Sequence, residues 1–99
     1  MINLTEIVGF GWDSGNSRKS VKKHDVSQSE AEQLFFNVPL LLLSDSKHSR
    51  DEARYHALGQ TDAARQLHGT FTLRRRGTLI RVISARDMHR KERKIYAQS

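Results

Sequence analysis

Leu67-His68-Gly69-Thr70-Phe71-Thr72-Leu73-Arg74-Arg75-Arg76-Gly77-Thr78-Leu79-Ile80-Arg81-Val82-Ile83 reads as two strands joined by a tight turn. Side chains alternate along a strand, so Leu67, Gly69, Phe71 and Leu73 share one face and His68, Thr70, Thr72 and Arg74 the other. After Arg76-Gly77, Ile80 and Val82 fall on one face, and Leu79, Arg81 and Ile83 on the opposite one. A two-residue Arg76-Gly77 loop pairs Arg75 with Thr78 and sets Phe71 opposite Val82 and Leu73 opposite Ile80. A three-residue loop sets Phe71 opposite Arg81 and mixes the faces, so apolar matching selects an even loop. Arg is a poor residue for a primed turn, and a bulge is the alternative. One face of the hairpin is then Phe71, Leu73, Ile80 and Val82. The other is polar and basic.

Outward from the hairpin, residues 54–60 form a preceding strand, with Tyr55 and Ala57 on one face and His56 and Leu58 on the other; Gly59-Gln60-Thr61-Asp62 ends it as a turn. Ser27-Gln28-Ser29-Glu30 fits a capping box that opens a helix, and Ala31, Leu34 and Phe35 give that helix one apolar stripe. Pro39 forbids its continuation, and residues 40–43 make a short buried strand. Residues 45–51 are a polar loop. Residues 8–12 alternate as a first strand, and residues 14–24, after Asp13 as N-cap, form a helix crowded by Lys19, Lys22 and Lys23. A last helix starts after Asp87 as N-cap and runs to about Tyr96. The order of elements predicts an α+β domain, a small antiparallel β-sheet with helices packed on one face.

Ninety-nine residues predict a single domain over residues 1–99. There is no cysteine, which excludes a disulfide framework, a thiolate nucleophile and a Cys-type zinc site. The longest apolar run, residues 38–43, is far short of the ~20 residues that a membrane span needs. The amino terminus suggests no export signal, so a cytoplasmic protein is expected.

The chain carries a formal net charge of +6, unevenly placed. Residues 1–49 hold five basic and six acidic side chains; residues 50–99 hold twelve basic and five acidic. Arg outnumbers Lys eleven to six. Arg forms bidentate phosphate contacts and stacks on bases, so the bias favours RNA or DNA as partner over a merely solvated surface.

Gly9-Phe10-Gly11 lacks the third glycine of a dinucleotide loop. The histidines at 24, 48, 56, 68 and 89 show no paired spacing on a helix face, so neither a metal site nor a cofactor is expected. No Gly-x-Ser-x-Gly elbow marks a nucleophile. The informative residues are arginines on strands and strand ends: Arg54, Arg65, Arg74, Arg81 and Arg86. Arg81, flanked by Ile80 and Val82, reads either as a phosphate clamp or as an ion-pair partner of Glu52 or Glu92.

Trp12-Asp13, Lys23-His24 eleven residues on, Glu30-Ala31, Phe35 and Asp45 resemble the BrnT toxins of bacterial toxin–antitoxin pairs. Arg54 before Gly59, Arg65 before Leu67 and Phe71, the block Arg81-Val82-Ile83-Ser84-Ala85-Arg86, Glu92-Arg93 and Tyr96 continue the likeness over residues 8–96. The chain departs from the pattern at Asp25, where a Gly is common, and at Asn16, Ser17 and Ser20. The resemblance implies a RelE-like fold and messenger-RNA cleavage that arrests translation. It implies neutralisation by a cognate ribbon-helix-helix antitoxin of the BrnA kind, with operator DNA reached only through that antitoxin. It leaves contact with the ribosome open.

Cleaving RNA through its 2′-hydroxyl requires deprotonation of that group, stabilisation of the charged phosphorane and protonation of the leaving 5′-oxygen. Together with the resemblance, this assigns Arg81 and Arg86 to the phosphorane and Arg65 to holding the phosphate. His24 is the candidate for proton transfer, or else a capping histidine at a helix end. Tyr96 stacks on a base or orients a proton, or else is an ordinary core aromatic. Lys22, Lys23, Arg54, His68 and Arg74 are the expected RNA contacts, and no metal is required. Two other classes fit the same residues. One is a non-catalytic RNA- or DNA-binding module; the other is an interaction subunit using residues 40–43 and the basic patch.

Overall fold

The computed structural model describes residues 4–12, 24–49 and 52–99. The expected helix over residues 14–24 lies outside them apart from His24, as do Lys22 and Lys23. The described elements are β1 (Gly9–Phe10), α1 (Gln28–Gln33), β2 (Leu41–Ser44), a 3₁₀ turn (Ser46–His48), β3 (Arg54–Gln60), β4 (Gln66–Arg74), β5 (Leu79–Asp87) and α2 (Arg90–Ala97). The strands form one sheet in the order β1-β5-β4-β3-β2.

The hairpin register is the one apolar matching selects: Phe71 faces Val82, Leu73 faces Ile80 and Thr72 faces Arg81. The turn closes with the Thr78 N–H donating to the Arg74 and Arg75 carbonyls at 3.1 and 3.3 Å. Arg75, Arg76 and Gly77 all have positive φ (51°, 59° and 84°), a region that only the glycine enters without a Cβ penalty. Farther along, Thr70 pairs with Ser84 while Phe71 pairs with Val82, which leaves Ile83 as the extra residue of a bulge. The bulge reverses the alternation of β5. Ala85 therefore joins Val82 on the core face beside Gly69, and Arg86 joins Arg81 on the other face beside His68.

The core lies between one face of the sheet and α1. Ser27 Oγ accepts from the Glu30 N–H at 3.1 Å and the Ser27 N–H donates to Glu30 Oε1 at 3.0 Å, the expected capping box. Ala31 and Leu34 pack with Ala57, Leu67, Phe71, Val82 and Ala85. Phe35 meets Phe71 edge-on, with ring centroids 5.1 Å apart. A Cβ at Gly59 would lie 3.2 Å from both Leu34 Cγ and the Leu34 carbonyl, so the helix approaches this closely only over glycine.

The α+β class holds, with four particulars that alternation alone does not give. First, β1 pairs with β5 in parallel, so the sheet is mixed. Second, β2 is an edge strand, and Leu43 is 52% exposed instead of buried. Third, α2 begins after His89, because Asp87 still belongs to β5 and is engaged by Arg65. Fourth, the two described helices do not share a face. Tyr96 and Met88 bury themselves against Leu58 and Leu41, which point away from α1.

Candidate functional site

The face opposite α1 is ordered by the strand register into transverse rows. Arg54, Thr72 and Arg81 are neighbours across β3, β4 and β5. The next row is Leu43, His56, Thr70 and Ser84, and the third is Leu41, Leu58, His68 and Arg86. Thr72 is fully buried between two arginines, and its Oγ1 has no hydrogen-bond partner among the described residues.

Carboxylates fix several of these cations. Arg86 Nη1 and Nη2 donate to Glu92 Oε1 and Oε2 at 2.8 and 3.0 Å, a bidentate pair. Arg74 Nη2 donates to Glu52 Oε1 at 3.1 Å. The two carboxylates weighed as partners of Arg81 thus hold Arg86 and Arg74. Burial would raise the Glu92 carboxyl, but Arg86 and the His89 N–H outweigh it and hold it at about 2. His68 lies 3.8 Å from Glu92, yet burial and the Arg86 charge push its pKa down to about 4. It meets the face as a neutral ring.

Arg65 sits elsewhere, at the end of the sheet. Its Nε and Nη2 donate to the Asp87 carboxylate at 2.8 and 3.1 Å, and its Nη1 donates to Glu30 Oε2 and the Asp25 carbonyl at 3.0 and 2.9 Å. These bonds raise the Arg65 pKa, led by those to Asp87. Arg65 thereby ties the start of α1 to the end of β5. His24 belongs to this group, since its charge, after those of Arg65 and Arg93, helps to lower the Asp87 carboxyl. Tyr96 is 4% exposed, and its hydroxyl donates to the Pro39 carbonyl at 2.6 Å.

Of the expected site residues, the structure therefore gathers Arg54, His68, Arg74, Arg81 and Arg86 on one face. Arg65 and His24 stand together around Asp87, and Tyr96, on α2, is buried against Leu58 and Met88. Sequence reasoning missed one group, the chain formed by Asp45, His56 and Thr70. His56 Nε2 lies 3.0 Å from Asp45 Oδ2, and its Nδ1 lies 3.2 Å from Thr70 Oγ1. The pairing of β2 with β3 is the signal that would have found it, since it brings Asp45 back beside Arg54 and His56. Among the described residues, no three His, Asp or Glu side chains are grouped to hold a metal ion. No described helix is long and apolar enough to cross a membrane.

The crystal structure of the Brucella abortus ribonuclease toxin BrnT is similar in fold, with a TM-score of 0.61 at 17% identity, covering 83% of this chain and 97% of that one. No curated protein matches the chain. The family model for the ribonuclease toxin BrnT of type II toxin–antitoxin systems matches residues 12–92. That span runs from Trp12 to Glu92 and takes in the arginine-bearing strands, and by it the chain belongs to the BrnT family of ribonuclease toxins.

Proposed function

We propose that the chain cleaves messenger RNA at its basic sheet face, by attack of a ribose 2′-hydroxyl on the adjacent phosphate, and so arrests translation in the cytoplasm. The observation that supports this reading is the row of Arg54, Thr72 and Arg81, with Arg74 and Arg86 on the same face. Guanidinium groups gathered on one face make a positive field that draws a polyanion to it. A phosphate backbone is such a polyanion, and the phosphorane carries more negative charge than the ground state. Arg81 is the group that meets this charge, because a guanidinium fork engages two phosphoryl oxygens. Arg86 adds its charge from a position fixed by Glu92, and Arg65 acts by holding the frame around Asp87.

The neutralising partner is a cognate ribbon-helix-helix antitoxin of the BrnA kind. Its carboxylates cover the arginine row, and the chain reaches operator DNA only through it. Neither metal nor cofactor enters the reaction.

The test is cleavage of labelled RNA by the purified chain in EDTA, with and without the antitoxin. Fragments appear with the free chain and not with the complex. Arg81→Ala lowers the rate by about 10²–10³-fold, the scale for losing one transition-state contact. Arg81→Lys stays impaired, because a point charge does not replace a planar fork. RNA affinity falls steeply with salt, as release of counterions from several phosphates requires. A large drop in melting temperature for Arg81→Ala with near-normal specific activity would sink this assignment. Salt-insensitive binding without fragments would favour a non-catalytic interaction module.

A further inference from the structure

Asp45, His56 and Thr70 lie together on the basic face, with His56 Nε2 at ion-pair distance from Asp45 and Nδ1 hydrogen-bonded to Thr70, and the arginine chemistry leaves them without a task. A carboxylate only accepts, so His56 Nε2 carries the ring proton toward Asp45 and Nδ1 turns its lone pair to the Thr70 hydroxyl. Burial pushes the Asp45 carboxyl up, but hydrogen bonds from the His48 side chain and backbone, with the charges of His48 and His56, bring it below its ordinary value. Asp45 is itself pinned: its N–H donates to the Arg54 carbonyl at 2.9 Å, and Ser49 Oγ donates to its carbonyl at 2.6 Å. The His56 ring therefore faces a carboxylate whose backbone is held on both sides by hydrogen bonds. The side chain keeps 28% of its surface exposed.

Position matters as much as orientation. Rows two residues apart along a strand are about 7 Å apart. The row of His56, Thr70 and Ser84 lies between the Arg81 row and the Arg86 row. A phosphate resting over Thr70 and Ser84 has Arg81 on one side, Arg86 on the other and His56 one strand away. His24 instead keeps company with Asp87, six residues beyond Arg81 and roughly 20 Å away along an extended strand. Beside His56 opens a cleft of roughly 400 Å³, lined by Leu43, Leu58, His68, Arg86 and Ile95. Leu43 and Ile95 are 52% and 51% exposed, an apolar rim on which a nucleobase can lie.

We propose that His56, oriented by Asp45, is the catalytic residue that takes the proton from the attacking 2′-hydroxyl, which displaces the Thr70 hydroxyl from Nδ1, while a neighbouring base lies against Leu43 and Ile95. The proton passes to Nδ1, the O2′–P bond forms and the P–O5′ bond breaks. The leaving 5′-oxygen takes a proton from a water molecule, and the imidazolium returns its proton to the hydroxide so formed. The products are a 2′,3′-cyclic phosphate and a 5′-hydroxyl. The charged and titratable groups facing His56 are Asp45 and His48 after β2, Arg54 on its own strand, His68 on β4, Arg86 on β5 and Glu92 on α2. The proposal rests on the reading that this face carries the cleavage.

The experiment compares the full chain with His56→Gln, Asp45→Asn, His24→Gln and Arg81→Ala. It measures cleavage rate in EDTA from about pH 5 to 9, affinity for uncleavable 2′-O-methyl RNA, and melting temperature. His56→Gln lowers the rate by about 10²–10⁴-fold and removes the acid limb of its pH profile, while RNA affinity and melting temperature hold. Asp45→Asn loses at least about tenfold, because an amide can donate to Nε2 and favour the wrong tautomer. A His56→Gln rate within about threefold of the parent overturns the proposal, as does loss of the acid limb in His24→Gln alone. If Arg81→Ala is inactive while His56→Gln is not, the face stands and His56 falls. If both remain active, the reading of the face falls as well.

Discussion

Glu92 takes both terminal nitrogens of Arg86 and lies beside His68, so one small cluster governs how this face responds to acid. The two shifts act in adjoining windows. His68 goes from an ordinary 6.5 to about 4 on folding, so the unfolded chain binds its proton first and stability falls as pH drops from 6.5 toward 4. Glu92 goes from 4.5 to about 2, so its contribution is full above 4.5 and is lost as pH falls toward 2. Each shift corresponds to roughly 3 kcal/mol at most. His68→Gln should flatten the upper window and Glu92→Gln the lower one, read from urea unfolding midpoints across pH. A His68→Gln profile that still falls between 6.5 and 4 would show that the ring is not the group titrating. Which residues are charged was legible in the sequence; which carboxylate holds which arginine was not. Arg65 looked like a phosphate ligand because its partners, Glu30 and Asp87, are 35 and 22 residues away.

At the level of elements, the capping box and the β4–β5 register were legible, because both depend on residues close in sequence. The bulge at Ile83 was harder to see. Its signal is the shift from Ile80-x-Val82 to Val82-x-x-Ala85, a three-residue step among core positions that strict alternation does not allow. Without that extra residue Arg81 and Arg86 would point to opposite faces, so the site depends on it. The turn is the other irregular feature. Arg75 and Arg76 adopt φ 51° and 59° in the turn between the last paired residues, Arg74 and Leu79, a region that Asn enters more readily than Arg. Arg76→Asn should stabilise the fold by about 1 kcal/mol, seen as a rise in melting temperature of roughly 4–8 °C. An unchanged or lower melting temperature would mean that Arg76 is held by contacts worth more than its backbone strain. The position of α2 escaped the sequence because Met88 and Tyr96 fit either face of a sheet. Only the outward turn of Leu58 decides the matter.

For the molecule as a whole, the chain is divided into an apolar side that α1 seals and a basic side bordered by α2. Alternation along β3 and β4 made that division visible before any coordinates. The partner of β1 was not visible, because Gly9 and Phe10 carry no mark of the strand 70 residues later with which they pair. That parallel pair has a consequence for the order of folding. From β2 to β5 each strand pairs with the next in sequence, so those contacts close short loops, whereas β1 must wait for β5 and then gains only a two-residue ladder. The β1 edge should therefore form last and open first, as a partial unfolding that leaves the meander intact. Amide exchange can see this directly. The Val8 and Gly11 N–H groups, which donate to the Thr78 and Ile80 carbonyls at 2.8 and 2.9 Å, should exchange well before those of Ala57 and Phe71. Equal protection would mean that the first strand closes together with the rest, and that the fold melts as one unit from edge to edge.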